Sequence, residues 1–126
     1  MQNGTFILMN ATTINPGGSL FSDPIYPLSN IVKFSLMIEG RYNMSKTWES
    51  NGLRVKVLTA PQITGVFPWD ITPYAEFDAP SNTSKYVRAT ASIIPDVYSI
   101  RCQVINLNTN ETAYDCKLIA TYSETS

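Results

Sequence analysis

Hydrophobic residues recur at every second position through most of this chain. Val32, Phe34, Leu36 and Ile38 alternate with polar neighbours across residues 31–39, and Leu53, Val55 and Val57 alternate with Arg54 and Lys56 across 53–59. Val87, Ala89, Ala91 and Ile93 repeat the pattern across 85–94. Nearer the C-terminus, Tyr98, Ile100, Cys102 and Val104 share one parity, and Tyr114, Cys116, Leu118, Ala120 and Tyr122 share another. A period of two places such residues on one face of a half-buried strand, and no stretch shows the helical period. Residues 5–14 depart from alternation: they carry the unbroken run Phe6-Ile7-Leu8-Met9. A continuous apolar run predicts a strand buried on both faces.

Turn signals punctuate these segments. Asn15-Pro16-Gly17-Gly18 reads as a turn, residues 21–30 with two prolines as a loop or edge, and Gly40 as a strand end. Ser50-Asn51-Gly52 is the strongest hairpin signal. Residues 60–80 are irregular and aromatic, broken by Pro61, Pro68, Pro73 and Pro80. Seven to eight short strands without helix predict an all-β chain, one antiparallel β-sandwich domain over residues 1–126, immunoglobulin-like or jelly-roll in topology.

Both cysteines fall in the stretch RCQVINLNTNETAYDCK, residues 101–117. A three-residue loop at Asn108 to Asn110 sets Leu107 opposite Glu111 and, in the same register, Cys102 opposite Cys116. That register predicts a Cys102–Cys116 disulfide, worth about 3 kcal/mol in the chain-entropy model. The competing reading is two reduced, buried thiols. A metal site needs more ligands than two sulfurs, and the chain has no histidine to supply them.

Composition narrows the setting. The net charge of −1 leaves no electrostatic footprint for nucleic acid or an anionic membrane. Charged residues make up only 15% of the chain, so Thr, Ser and Asn carry its polarity. Five glycosylation sequons occur, at Asn3-Gly4-Thr5, Asn10-Ala11-Thr12, Asn43-Met44-Ser45, Asn82-Thr83-Ser84 and Asn110-Glu111-Thr112. With a disulfide-spaced cysteine pair, they predict an extracellular glycoprotein, with Asn110 at a hairpin tip the most accessible acceptor. No segment is apolar and long enough to insert in a membrane. The N-terminal stretch lacks the basic region and long apolar core of a secretion signal, so export implies that a signal has been removed or that release follows another route.

The same residue list argues against an enzyme. Without histidine the commonest general base is missing, and Ser or Cys nucleophiles lose their usual partner. No Gly-rich phosphate loop occurs, and no acid pair stands in a context that would split its pKa values. The most site-like segment is GVFPWDITPYAEFDAP, residues 65–80. There Trp69, Tyr74 and Phe77 offer a platform for sugar rings, and Asp70, Glu76 and Asp78 offer oxygens to calcium. The plainer alternative is that the rings cap one end of the sandwich and the acids are solvated. Beyond that calcium, no cofactor is expected.

The apolar strand Phe6, Ile7, Leu8 and Met9 either completes its own sandwich or fills the open edge of the next subunit. Head-to-tail donation does not close on itself and builds filaments. In FILM at residues 6–9, its Thr/Asn/Ser-rich sequons and its all-β pattern, the chain resembles the extracellular β-sandwich filament and pilus subunits of archaea and bacteria joined by donated strands. No specific family is identified. The resemblance implies a self-assembling homopolymer at the cell surface, a subunit of a filament, pilus or sheath. The alternatives are a secreted module binding glycan, with or without calcium, through residues 65–80, and a virion surface or decoration protein.

Overall fold

A computed structural model describes residues 2–25, 28–42, 52–60, 73–80, 86–95, 97, 99–109 and 111–124. Among them are eight strands and no helix: β1 (Gln2–Ile14), β2 (Ser19–Phe21), β3 (Ile31–Tyr42), β4 (Leu53–Ala60), β5 (Ala75–Ala79), β6 (Tyr86–Ser92), β7 (Ser99–Asn106) and β8 (Ala113–Glu124). They form two four-stranded antiparallel sheets, ordered β1-β8-β3-β6 and β2-β7-β4-β5. The pairings nest: β1 with β8, β2 with β7, β3 with β6, β4 with β5. Nested pairs closed by β3–β8 and β4–β7 are a long hairpin rolled into a jelly roll, which settles the topology that periodicity leaves open.

Alternation along β3, β4, β7 and β8 drives the packing. Leu36, Ile38, Leu53, Val55, Val57, Ile100, Val104, Leu118 and Ala120 are fully buried between the sheets. Each large aliphatic among them contributes about 1.5–3 kcal/mol on burial.

Nesting overturns two local pairings expected from the sequence. The strands flanking the Ser50-Asn51-Gly52 signal, β3 and β4, lie in different sheets and do not form a hairpin; residues 43–51 are outside the described set. Likewise β7 and β8 part company at the Asn108 loop, and each enters its own sheet. Cys102 pairs with Val57 across β4, and Cys116 pairs with Ala11 across β1. The register that set the two cysteines opposite one another is therefore absent, and both are free, buried thiols. Burial pushes Cys102 up to about 12, against a hydrogen bond from Ser22, and pushes Cys116 up to about 11, with the neighbouring Asp115 charge adding to it. Protonated and enclosed, neither thiol is nucleophilic at neutral pH. The native protein should resist alkylation at pH 8 and yield two modified cysteines once denatured; an unreactive pair after denaturation would restore the disulfide.

The apolar run in β1 has a different cause from the one its pattern suggests. β1 is an edge strand, not a central one, and Ile7 is 54% exposed. The register with β8 slips between Ile7 and Met9. At such a bulge two consecutive residues turn toward one side, so Leu8 and Met9 both pack on the core and alternation is lost. A second slip between Ile31 and Lys33 leaves Val32, expected inward, 42% exposed. Gly40 does not end β3, which continues to Tyr42. β1 is also not held out to a neighbour: it pairs with β8 of its own chain from Gln2 to Ile14. Residues 6–9, expected as a donated strand or as a strand completing their own sandwich, take the second place in this chain.

A buried polar knot closes one end of the sandwich. Asn106 Oδ1 accepts from the Tyr42 hydroxyl at 2.8 Å and from the Asn108 backbone N–H at 3.1 Å. Its Nδ2 donates to the carbonyls of Ile14 at 3.1 Å and Glu111 at 2.9 Å. Asn108 Oδ1 accepts from the Glu111 N–H, and its carbonyl accepts from the N–H of Gly17, which has a φ of 70°. One amide thus ties β3, the β1–β2 turn and the β7–β8 crossing together. Burial, with Cys116 nearby, pushes the Tyr42 hydroxyl far above its ordinary range.

Candidate functional site

The outward faces of β3, β6 and β8 meet in a groove of about 540 Å³, lined by Glu39, Arg41, Tyr86, Arg88, Asp115 and Lys117 beside Gly40 and Val87. Sheet register explains the gathering. Asn10, Lys117, Glu39 and Arg88 stand in one row across four strands, and Thr13, Tyr114, Arg41 and Tyr86 stand in the next. Directly paired residues share a face, with Cβ atoms about 4.5–5.5 Å apart.

A bulge shapes this end of the face. Between Glu39 and Arg41 the β3–β8 register slips, and Asp115 on β8 adopts a φ of 51°. Left-handed backbone is rare outside glycine, costs about 1–2 kcal/mol, and is tolerated best by Asp and Asn. Such strain collects at functional sites, and a bulge redirects a side chain. Here it swings Tyr114 to the outer face, although alternation had assigned it to the core with Cys116. Arg41 Nε donates to Asp115 Oδ2 at 2.7 Å, and its guanidinium lies 5.1 Å from the Tyr114 ring centroid. One row over, Arg88 Nη2 donates to Glu39 Oε2 at 2.9 Å. Tyr86, 70% exposed, stands at the groove's edge strand. The result is an open trough with an accessible aromatic ring, two oriented ion pairs and a lysine.

Residues expected from sequence to form a site are placed elsewhere. Trp69 and Asp70 fall outside the described residues. Tyr74 donates its hydroxyl to the Ile94 carbonyl at 2.8 Å, and Phe77 is half-buried against the core. Phe77 is therefore tied to packing, whereas the Tyr74 ring stays at the surface with its hydroxyl engaged. Glu76 and Asp78 share a face of β5, and both reach Arg54: Asp78 accepts from its Nε at 2.8 Å and its Nη2 at 3.1 Å, and Glu76 lies 3.3 Å away. The Arg54 hydrogen bond and charge hold the Asp78 carboxyl below its usual range. Both carboxylates thus face Arg54, whose single charge offsets one of the two. Among the described residues no group of three metal-binding side chains occurs. Of the sequons, Asn3 and Asn10 are exposed on β1, with Asn3 Oδ1 accepting from Ser123 at 2.7 Å; Asn43, Asn82 and Asn110 lie outside the described residues.

The groove residues escape sequence reading because they occupy the polar half of each alternation, where solvated side chains are the rule. The one local signal is the break in pattern at Tyr114-Asp115.

No protein-family model matches the chain, and no curated protein does. Solved structures do. The fold is similar to the CBM36-1 domain of a multidomain xylanase from the hindgut metagenome of Trinervitermes trinervoides, over 99% of this chain and 100% of that one, with a TM-score of 0.51 and 8% identity. It is similar to a family 35 carbohydrate binding module from an environmental isolate over the whole of both chains, with a TM-score of 0.51 and 10% identity. PirA matches over 95% of this chain and 91% of its own at 18% identity and a TM-score of 0.44. At these identities the likeness to the two carbohydrate-binding modules shows a shared β-sandwich and identifies no family. No described helix is long and apolar enough to cross a membrane.

Proposed function

We propose that this chain is a non-enzymatic, extracellular glycan-binding module whose binding surface is the groove on the β3–β6–β8 face. The observation that carries the reading is the exposed Tyr86 ring set beside two fixed ion pairs, Arg41–Asp115 and Arg88–Glu39. A sugar presents an apolar C–H face ringed by hydroxyls that both donate and accept. An aromatic ring covers the first, and mixed guanidinium and carboxylate groups satisfy the second. Because the ion pairs already orient these groups, little ordering entropy is lost on binding. Shared fold with two modules named for carbohydrate binding supports the class, and the five sequons support the compartment. The binding surface moves from the 65–80 loop to the sheet face. The filament reading, which rested on a strand now found paired within its own chain, gives way to it.

A glycan array followed by calorimetry on the best ligand tests this. Tyr86→Ala should weaken binding by about tenfold, roughly 1.4 kcal/mol, while the melting temperature stays put because the ring is exposed. No carbohydrate binding, or binding indifferent to Tyr86→Ala, would overturn the assignment.

A further inference from the structure

The charges lining the groove do not cancel. Glu39 is taken by Arg88 and Asp115 by Arg41, at 2.9 and 2.7 Å. The fifth charged side chain is Lys117, half-buried, between Asn10 on β1 and Glu39 on β3 in its row. Although Glu39 is its direct cross-strand partner, the carboxylate turns the other way, to Arg88. Among the described residues Lys117 has no ion pair or hydrogen bond, so three cations face two committed acids on one wall. Tyr86 on β6 and Lys117 on β8 stand two strands and one row apart on this face, roughly 10 Å by 7 Å, or about 12 Å along the diagonal. An oligosaccharide with one ring on Tyr86 crosses that distance and brings a substituent of a neighbouring ring to the ammonium. A neutral hydroxyl would leave the excess charge uncompensated, whereas an anionic substituent would gain a charge-assisted hydrogen bond in a partly desolvated trough. Phosphate of a nucleic acid fits poorly, since the chain as a whole carries a net charge of −1.

We infer that the groove selects an anionic glycan, and that Lys117 is the specificity-determining residue that holds the ligand's carboxylate or sulfate. The inference rests on the glycan reading above and names the ligand class for the same site.

The test is calorimetry of the full chain with two matched pairs of probes: a uronic-acid oligosaccharide with its methyl ester, and a sulfated neutral oligosaccharide with its unsulfated parent. The charged member of a pair should bind about tenfold tighter at low salt, the order expected of one charge-assisted contact. At about 0.5 M salt the preference should shrink, as screening reaches partly exposed charges. Lys117→Met should bring the charged-to-neutral ratio to about one, and Lys117→Arg should restore most of it. The pair that shows this Lys117-dependent preference identifies carboxylate or sulfate as the anion. Equal binding of charged and neutral members in both pairs overturns the inference and leaves the glycan reading standing. A preference that survives Lys117→Met overturns the assignment to that residue. Failure of every probe, with no other sugar bound on the array, removes the glycan reading itself.

Discussion

Replacing Asn106 with leucine should destabilise the protein by about 3–5 kcal/mol, among the largest effects any single substitution produces. The volume is nearly conserved, so packing is not the cause. Leucine offers no oxygen to the fully buried Tyr42 hydroxyl and no N–H to the carbonyls of Ile14 and Glu111. Each buried group left without a partner costs about 1–3 kcal/mol. Asn106→Asp should be nearly as harmful, because a carboxylate in place of the amide N–H repels the two carbonyls, and burial disfavours its charge. Chemical denaturation at neutral pH would measure the loss. A double-mutant cycle with Tyr42→Phe should show strong non-additivity, since the hydroxyl has nothing to lose once its acceptor is gone. A loss below about 1 kcal/mol for Asn106→Leu would show that the knot is solvated and not structural.

Gly40→Val should lower stability by about 1–3 kcal/mol and weaken the proposed glycan binding in the same variant. A Cβ at this position would lie 3.0 Å from Leu53 Cδ1 and 3.2 Å from Cys116 Sγ, in the closed space between the sheets. The Leu53 methyl can turn aside, but the added branches of valine have nowhere to go. β3 must then lift from β8 at the bulge where Asp115 holds its left-handed turn. Glu39 and Arg41, on either side of Gly40, line the groove and carry its two ion pairs. Displacing the glycine therefore spreads the row proposed to bind the ligand. Binding that remains intact in a destabilised Gly40→Val would separate core from groove and count against a bulge-shaped site.

The architecture was legible in the polar and apolar alternation because a half-buried strand needs a period of two wherever it sits. Leu36, Ile38, Val55, Val57, Val104 and Leu118 were read as inward and are fully buried. Absence of helical periodicity was equally informative, since no described residue is helical. Alternation records which side of a strand faces the core but not which strand lies beside it. The sequence therefore suggested local hairpins at Asn51-Gly52 and Asn108, whereas the jelly roll joins β1 to β8 and β2 to β7 across most of the chain. Cys102 and Cys116 parted for that reason alone. Bulges escaped notice for a related one. An extra residue in a strand leaves only a short break in period, so Phe6-Ile7-Leu8-Met9 looked doubly buried and Tyr114 looked inward.

The sequence by itself determined the all-β class, the inward faces away from the bulges and the lack of histidine chemistry, because these depend on residue type and on spacing along one strand. Tertiary structure alone decided the sheet order, the reduced state of the cysteines and the groove. Arg41, Tyr86, Arg88 and Asp115 come from three strands that share a sheet only after the hairpin has rolled. Cross-strand neighbours are set by register between distant segments, and no window along the chain contains that register.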